Sequence, residues 1–445
     1  MTTTTLSIWG GAGEHGRSCY LLQHGTSAIL LDCGVKKEGP GEYPLLDREI
    51  VRKLQTVFLS HAHEDHSIAL PLLYKYGYTG EIWTTRETAG QLPGYFAAWS
   101  RYAEAKGVAL PYGEDDLAAM RFMYLEDHAE PLTWVTLAPG LRVLWGRSGH
   151  LAGAVWLALE WNGKKLFFSG DYTEESLLLA VDRPEGIFGQ EVADCSGGTG
   201  EPGRVAVPAD LALVDAAYGT DPDGQAAKLG QLEAALRLTL AGSGSVLLPV
   251  PLHGRGQELL LWASERFPST RLVVEEALLA PIRSWSVGSA WLRPDAGERL
   301  QALLRHPNLD VVSTWTEREK AMQKLHGALV FTNDGMMASA KAQWYYSQLA
   351  ASPGNQVIFT GHLPKGGFAR RLFQEQSSTA CPVSLIRYKV HQGLPDIRSM
   401  LTTVPSSHTV LVHAAKQGTD HVVNLLHGEG FTELYSLLPG SRISF

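Results

Sequence analysis

The sequence predicts an α/β protein in which one α/β unit interrupts another, and three observations carry that prediction. Its 445 residues exceed what one hydrophobic core usually serves, so two domains, or one domain with a large insertion, are expected. Strand-like runs fill the first part of the chain and recur near its end. Between them, beyond Tyr218-Gly219, the pattern changes to alternating helices and strands, the mark of a parallel sheet. The expected boundaries are 1–217 for the first part of the outer domain, 218–354 for the inserted unit and 355–445 for the remainder, with Ser352-Pro353-Gly354 as the exit from the insertion.

In chain order, Leu6-Ser7-Ile8-Trp9 leads into a glycine-rich turn, Gly10 to Gly16, followed by paired strands around Gly25 that end at Asp32. The glycines stand between strands and no helix opens after them, which excludes a dinucleotide fingerprint. A buried strand-end carboxylate needs a partner, so Asp32 either caps a turn or holds a metal-ligating His. After the strand Glu81 to Thr85, residues 86–125 read as helical with breaks at Pro93 and Pro111, and Tyr95, Phe96, Trp99 and Tyr102 as core or cleft wall. Leu141 to Trp145 is a strand before His150. Ala154 to Trp161 and Lys165 to Asp171 form a hairpin through Asn162-Gly163. Pro184 to Pro208 reads as a surface loop, and Leu211 to Asp215 as a buried strand ending in an acid.

The insertion should place helices over Gln225 to Ala241, Gly256 to Arg266 and Ala340 to Leu349. Its strands are expected over Ser245 to Val250, Arg271 to Val274, Leu309 to Val312 and Ala328 to Phe331. In the tail, Gln356 to Thr360, Ser384 to Tyr388 and Thr409 to Val412 are strand-like. His391 precedes a helix near Leu394-Pro395, and His413 sits at a strand end.

The densest chemistry is Ser60-His61-Ala62-His63-Glu64-Asp65-His66, directly after the buried run Val57-Phe58-Leu59. Alternation along an extended segment sends His61 and His63 to one side, while Asp65 and His66 fall where a helix begins. Two pairs of ligand-type side chains thus point at two adjacent places. Imidazole and carboxylate with no thiolate suit a catalytic zinc site that keeps a water. A dinuclear site still needs a third His and a bridging carboxylate, and the strand-end residues His150 and Asp171 are of those types.

The bulk composition narrows the class. Hydrophobic residues at 44% and charged residues at 19% exclude a disordered chain. A net charge of −8 argues against a general nucleic-acid coat protein while allowing a local basic cleft. Cys19, Cys33, Cys195 and Cys381 are widely spaced with no CxxC pair. Together with an amino terminus unlike a signal peptide and no bilayer-length apolar run, this suggests a cytoplasmic protein that does not engage a membrane.

The His61-x-His63-x-Asp65-His66 element, with Asp32 before it and His150 and Asp171 after it, resembles the metallo-β-lactamase fold, an αββα sandwich with a di-zinc site at one edge. Gly11-Ala12-Gly13-Glu14-His15-Gly16-Arg17-Ser18-Cys19, Val214-Asp215-Ala216-Ala217-Tyr218-Gly219 and Gly254-Arg255-Gly256-Gln257-Glu258-Leu259-Leu260 narrow the likeness to the β-CASP nucleases. Among these it is most similar to relatives of the pre-mRNA 3′-end cleavage endonuclease and its prokaryotic counterparts. The resemblance implies two Zn²⁺ per chain, one held by His61, His63 and His150, the other by Asp65, His66 and His413. Asp171 would bridge them and Asp32 would orient the His-rich loop. It further implies a catalytic role for Asp65, for Asp215 as an acid behind the ligands, and for His391 near the scissile phosphate and leaving group.

The implied activity is hydrolysis of single-stranded RNA, endonucleolytic or from a 5′ end, by a di-zinc-activated water. A His at position 413 resembles the RNA-cleaving branch, whereas the DNA-cleaving branch tends to have Val. A DNA nuclease and a hydrolase of a small ester or lactam remain the alternatives. Arg255, Lys365, Arg370 and Arg371 are candidate contacts to the nucleic-acid backbone. The resemblance leaves a homodimer or processing-complex partners open. At Thr332-Asn333-Asp334-Gly335-Met336 the carboxylate stands where the family has a Ser-Gly-Met turn, and is expected to weaken phosphate binding there.

Overall fold

The computed structural model describes residues 3–191, 204–205, 207–285, 289–364, 366–375 and 380–445. Within it the chain forms two compact units. The first comprises Met1–Glu174, Val181–Pro222 and His391–Phe445, the second Glu175–Ala180 and Asp223–Val390.

Two seven-stranded sheets build the first unit. One has the strand order Arg442–Ser444, Thr4–Gly10, Cys19–His24, Ser27–Leu31, Leu54–Phe58, Ile82–Thr84, Phe122–Tyr124. The other runs Leu434–Ser436, Thr409–Val412, Leu211–Asp215, Lys164–Phe168, Val155–Trp161, Leu141–Arg147, Val135–Ala138. Their central strands carry buried apolar runs, as at Leu211 to Val214 and Val57-Phe58-Leu59, because both faces are covered. The inner faces meet through Tyr20 and Phe168, whose rings stand 5.7 Å apart edge to face.

Helices cover the outer faces. Leu70–Lys75 and Arg86–Ala105 pack Leu72, Leu73, Leu92 and Trp99 on the first sheet. Leu394–Thr403 and Lys416–Gly428 pack Ile397, Met400, Val422 and Leu426 on the second. This is the αββα layering. Pro93 does not break its helix as expected. It is exposed, so the carbonyl one turn back that loses its N–H partner can be hydrated.

The second unit is a six-stranded, fully parallel sheet in the order Leu309–Val312, Arg271–Glu275, Ala328–Asn333, Val246–Val250, Gln356–Phe359, Val383–Leu385. It corrects the expected boundaries. Gln356–Phe359 pairs with Val246–Val250, so Ser352-Pro353-Gly354 is an internal turn and the unit runs on to Val390. Residues 218–222 stay with the first unit.

The segment Glu175–Ala180 also belongs to the second unit, and Glu258 holds it there. The Glu258 carboxylate, fully buried, accepts from Ser176 Oγ (2.9 Å), from the Leu177 backbone N–H (2.8 Å) and from the Tyr388 hydroxyl. Burial pushes the Glu258 carboxyl above its usual range.

A second buried carboxylate, Glu275, closes its strand with bidentate bonds from Arg318 (2.7 and 2.8 Å), Lys341 Nζ (2.9 Å) and the Tyr345 hydroxyl (2.6 Å). Burial works to raise its pKa, but these donors outweigh it and hold the carboxyl low. The Asp334 carboxylate is occupied within its own turn, accepting from Met336 N (3.2 Å) and Ser339 N (2.6 Å). Its φ of +86° is the strained, left-handed kind.

Candidate metal centre

The site is assembled from strand ends of the first unit. Ser27–Leu31 ends in Asp32, which is fully buried and has φ +56°. Its Oδ1 accepts from the Ser60 backbone N–H (2.7 Å) and its Oδ2 from Ser60 Oγ (2.8 Å) and His66 Nδ1 (2.7 Å). The Ser60 oxygen, having donated its proton to Asp32, accepts from His61 Nδ1 at 3.0 Å. One carboxylate therefore fixes two imidazoles with Nδ1 protonated, leaving the Nε2 lone pair of each free to bind.

Those lone pairs point at two groups of donors. In the first, His63 Nδ1 lies 3.1 Å from both His61 Nε2 and His150 Nε2, and Asp171 Oδ2 lies 3.4 Å from each of the same two nitrogens. In the second, Asp171 Oδ1 lies 3.4 Å from His66 Nε2 and 3.3 Å from His413 Nδ1, while His413 Nε2 lies 3.0 Å from Asp65 Oδ2. His61, His63, His150 and Asp171 thus form one possible ligand set, and Asp65, His66 and His413 another.

These contacts fit a cation better than a hydrogen-bond network. With His61 Nε2 an acceptor, His63 Nδ1 must donate to it, and that one N–H cannot also make a full bond to His150 Nε2. In the second group, His66 Nε2 and His413 Nδ1 are buried with no hydrogen-bond partner among the described residues. Donors of a tetrahedral ion at Zn–N lengths stand about 3.3 Å apart, close to the separations found. The electrostatics agree. Burial, then the charges of His66, His63 and His150, push the His61 pKa far down. Burial opposes charge on His66 too, yet Asp171, Asp65 and Asp32 raise its pKa to about 9, so its Nε2 takes a proton at neutral pH unless a cation stands in that place. The cluster thus has one imidazole-rich and one carboxylate-rich side.

Asp215 and His391 stand behind. Asp215, fully buried, accepts from Ala217 N (2.9 Å) and Tyr172 N (3.3 Å), and its Oδ2 lies 3.0 Å from His391 Nδ1. Burial alone would raise the Asp215 carboxyl, but His391 and His413 beside it hold it well below the carboxylate range. Asp171, Asp215, His391 and His413 form a third group of close donors.

Of the expected backbone contacts, Arg255, Arg370 and Arg371 lie in the second unit, and Lys365 lies outside the described residues. The Arg255 guanidinium rests on Gly361 where any Cβ would overlap it. Two residues missed by the sequence reading are His15 and Tyr95. Their rings pack edge-on against His413 (6.0 Å) and His63 (5.7 Å). The one signal for His15 was an imidazole in a glycine-rich turn. Tyr95 reads from the sequence as core or cleft wall, with no signal to separate the two.

Residues 12–212 match the metallo-β-lactamase superfamily. The chain is 24% identical over 418 residues to a probable RNase MJ4 of Methanocaldococcus jannaschii, covering 91% of each chain. It is 26% identical over 452 residues to ribonuclease TTHA0252 of Thermus thermophilus, covering 95% of this chain and 90% of the relative. It is 25% identical over 395 residues to transcription termination factor FttA of a Lokiarchaeum species, covering 83% of this chain and spanning 57% of the factor's length. A crystal structure of an Enterococcus faecalis protein of unknown function shares the fold across the whole of both chains, with a TM-score of 0.55 at 15% identity. Residues 12–212 thus carry a metallo-β-lactamase superfamily domain, and over nearly its whole length the chain is similar to proteins named as ribonucleases.

Proposed function

We propose that the protein is a zinc-dependent ribonuclease that hydrolyses phosphodiester bonds of single-stranded RNA in the cytoplasm, with two Zn²⁺ per chain. The observation that carries this reading is Asp171, whose two oxygens face two separate groups of buried imidazoles. RNA is preferred to DNA because His413 completes the second group and because close relatives carry ribonuclease names.

His61, His63 and His150 would hold one ion and Asp65, His66 and His413 the other, with Asp171 shared. Bound zinc supplies Lewis acidity toward the phosphate and an activated water at neutral pH. The chain's own residues do the rest. Asp32 and Ser60 keep both Nε2 atoms bare and aimed. Asp215 anchors His391 through Nδ1, so His391 Nε2 is the nitrogen left to give a proton to the leaving oxygen. The buried cluster excludes bulk water from the ligands, since His61, His66, Asp171 and Asp215 are at most 2% exposed.

The test uses end-labelled single-stranded RNA and matched DNA, with and without a chelator, beside His63→Ala. Chelator-sensitive cleavage of RNA, lost in the variant, is expected, and the product ladder separates internal from 5′-end cutting. Full activity in His63→Ala would overturn the assignment. Inert RNA with zinc bound would move the substrate to DNA or a small ester.

A further inference from the structure

The mechanism leaves unexplained what guides a strand onto a cluster that is almost wholly buried. Of its members only His63, Asp65 and His391 are half-buried, so the substrate must arrive past them. Beside two of these openings stands a polar ring that the mechanism does not use. His15, exposed, packs edge-on at 77° against His413, the imidazole bonded to Asp65. Tyr95, half-buried, packs at 74° against His63.

Each ring is tied to the loop that carries a neighbouring ligand. The His15 turn is bonded to the His413 turn by His413 N to Gly11 O (2.7 Å) and Lys416 N to Gly13 O (2.9 Å). Glu14 stiffens it further by accepting from Arg17 Nε (2.6 Å) and Nη2 (3.2 Å). Gly16, at φ +97°, holds a backbone conformation that side-chain-bearing residues rarely adopt and lies tight against Lys36. The Tyr95 helix is fastened to the loop that bears His150. Thr85 Oγ1 (2.7 Å) and Thr88 Oγ1 (2.9 Å) both donate to Gly153 O, and Gln91 Nε2 donates to Ala152 O (2.8 Å). Ordering of this kind, spent on one exposed ring and one half-buried ring beside the openings of the cluster, is what a preorganised contact requires.

We infer that His15 and Tyr95 bind the nucleotides flanking the scissile phosphate, His15 beside the Asp65/His413 donors and Tyr95 beside the His61/His63/His150 donors. An imidazole N–H and a phenol O–H donate to phosphate oxygens, and each ring offers a face to a base. This rests on the ribonuclease reading and adds to it the residues that take the strand on either side of the cut.

The test compares His15→Ala, His15→Gln, Tyr95→Ala and Tyr95→Phe. Three quantities are measured: zinc content, kcat and KM on a single-stranded RNA oligonucleotide, and kcat/KM on bis(p-nitrophenyl) phosphate, a diester with no flanking nucleotides. RNA affinity is also read without cleavage, by placing His15→Ala and Tyr95→Ala in the His63→Ala background and titrating fluorescent RNA. Each Ala variant is expected to raise the RNA KM about tenfold and to lower the ratio of RNA to small-diester kcat/KM by the same factor, the worth of one well-placed hydrogen bond or stack. His15→Gln, which keeps an N–H, should recover part of the loss.

An unchanged RNA KM and affinity would overturn the contact. A parallel fall on both substrates, or loss of zinc, would also overturn it, showing that the rings merely support His413 and His63. A wild-type protein inert toward RNA yet active on the small diester would overturn the ribonuclease reading and this contact with it. RNA cleavage with an unchanged variant KM overturns the contact alone.

Discussion

Asp32→Asn should weaken zinc binding far more than it weakens the fold, although Asp32 lies behind the ligands. The wild-type carboxylate accepts three bonds, from Ser60 N, Ser60 Oγ and His66 Nδ1. In the variant the amide oxygen can keep Ser60 N, but the amide nitrogen then faces Ser60 Oγ and His66 Nδ1. To pair again, Ser60 must accept from the amide and donate to His61 Nδ1, and His66 Nδ1 must become an acceptor. Both rings switch tautomer, and both Nε2 atoms become protonated. The hydrogen bonds are largely remade, so metal-free stability should fall by only about 1–2 kcal/mol. Zinc binding must reverse both tautomers and leave two buried donors unpaired, so affinity should drop about 100-fold, the upper end for ligand-orienting carboxylates. Competition with a chromophoric chelator measures the affinity, and denaturant unfolding with the metal stripped measures the stability. Zinc affinity within about threefold of wild type would refute the tautomer argument.

Three further outcomes are expected. Gly34→Ala would drive a Cβ into the Asp65 carbonyl and His66 nitrogen, so the His-rich loop must move. Zinc stoichiometry by mass spectrometry should fall below that of wild type. Gly361→Ala displaces only the tip of the flexible Arg255 side chain. Stability should therefore stay within about 0.5 kcal/mol of wild type, while RNA affinity falls to the level of Arg255→Ala if that guanidinium contacts the strand. Glu275→Gln leaves the buried Arg318 without its bidentate partner and should cost about 3 kcal/mol at pH 7. Because the folded Glu275 pKa is depressed, its contribution is present above the unfolded value near 4.5 and is lost as pH falls through the folded one. The gap between variant and wild type in urea titrations should narrow below that range.

The candidate ligands stood out because the densest of them fall in one short stretch and the others close apolar strands, where a polar residue contrasts with its neighbours. The layering was legible for the same reason, through runs such as Val57-Phe58-Leu59. What depended on contacts through space was not. The Ser352-Pro353-Gly354 turn looks the same whether a unit ends there or doubles back for two more strands. Only the pairing of Gln356–Phe359 with Val246–Val250 decides it. Glu175–Ala180 leaves its sequence neighbours because Glu258, 82 residues beyond Ser176, supplies an acceptor. Asp334 read as a hindrance to anions, whereas its oxygens are taken up by the turn it sits in.

The strand order of the first unit carries a consequence for how the protein is made. Thr409–Val412 lies beside Leu211–Asp215, and Arg442–Ser444 lies beside Thr4–Gly10, so both sheets wait for strands that follow the parallel unit in the chain. His61, His63 and His150 can meet while a nascent chain is still on the ribosome, but His413 arrives only after the entire parallel unit has been translated. A partly synthesised chain therefore holds four of the five imidazoles of the two candidate ligand sets, His61, His63, His66 and His150, and lacks His413, so the second set is complete only once the sheet that carries it can close.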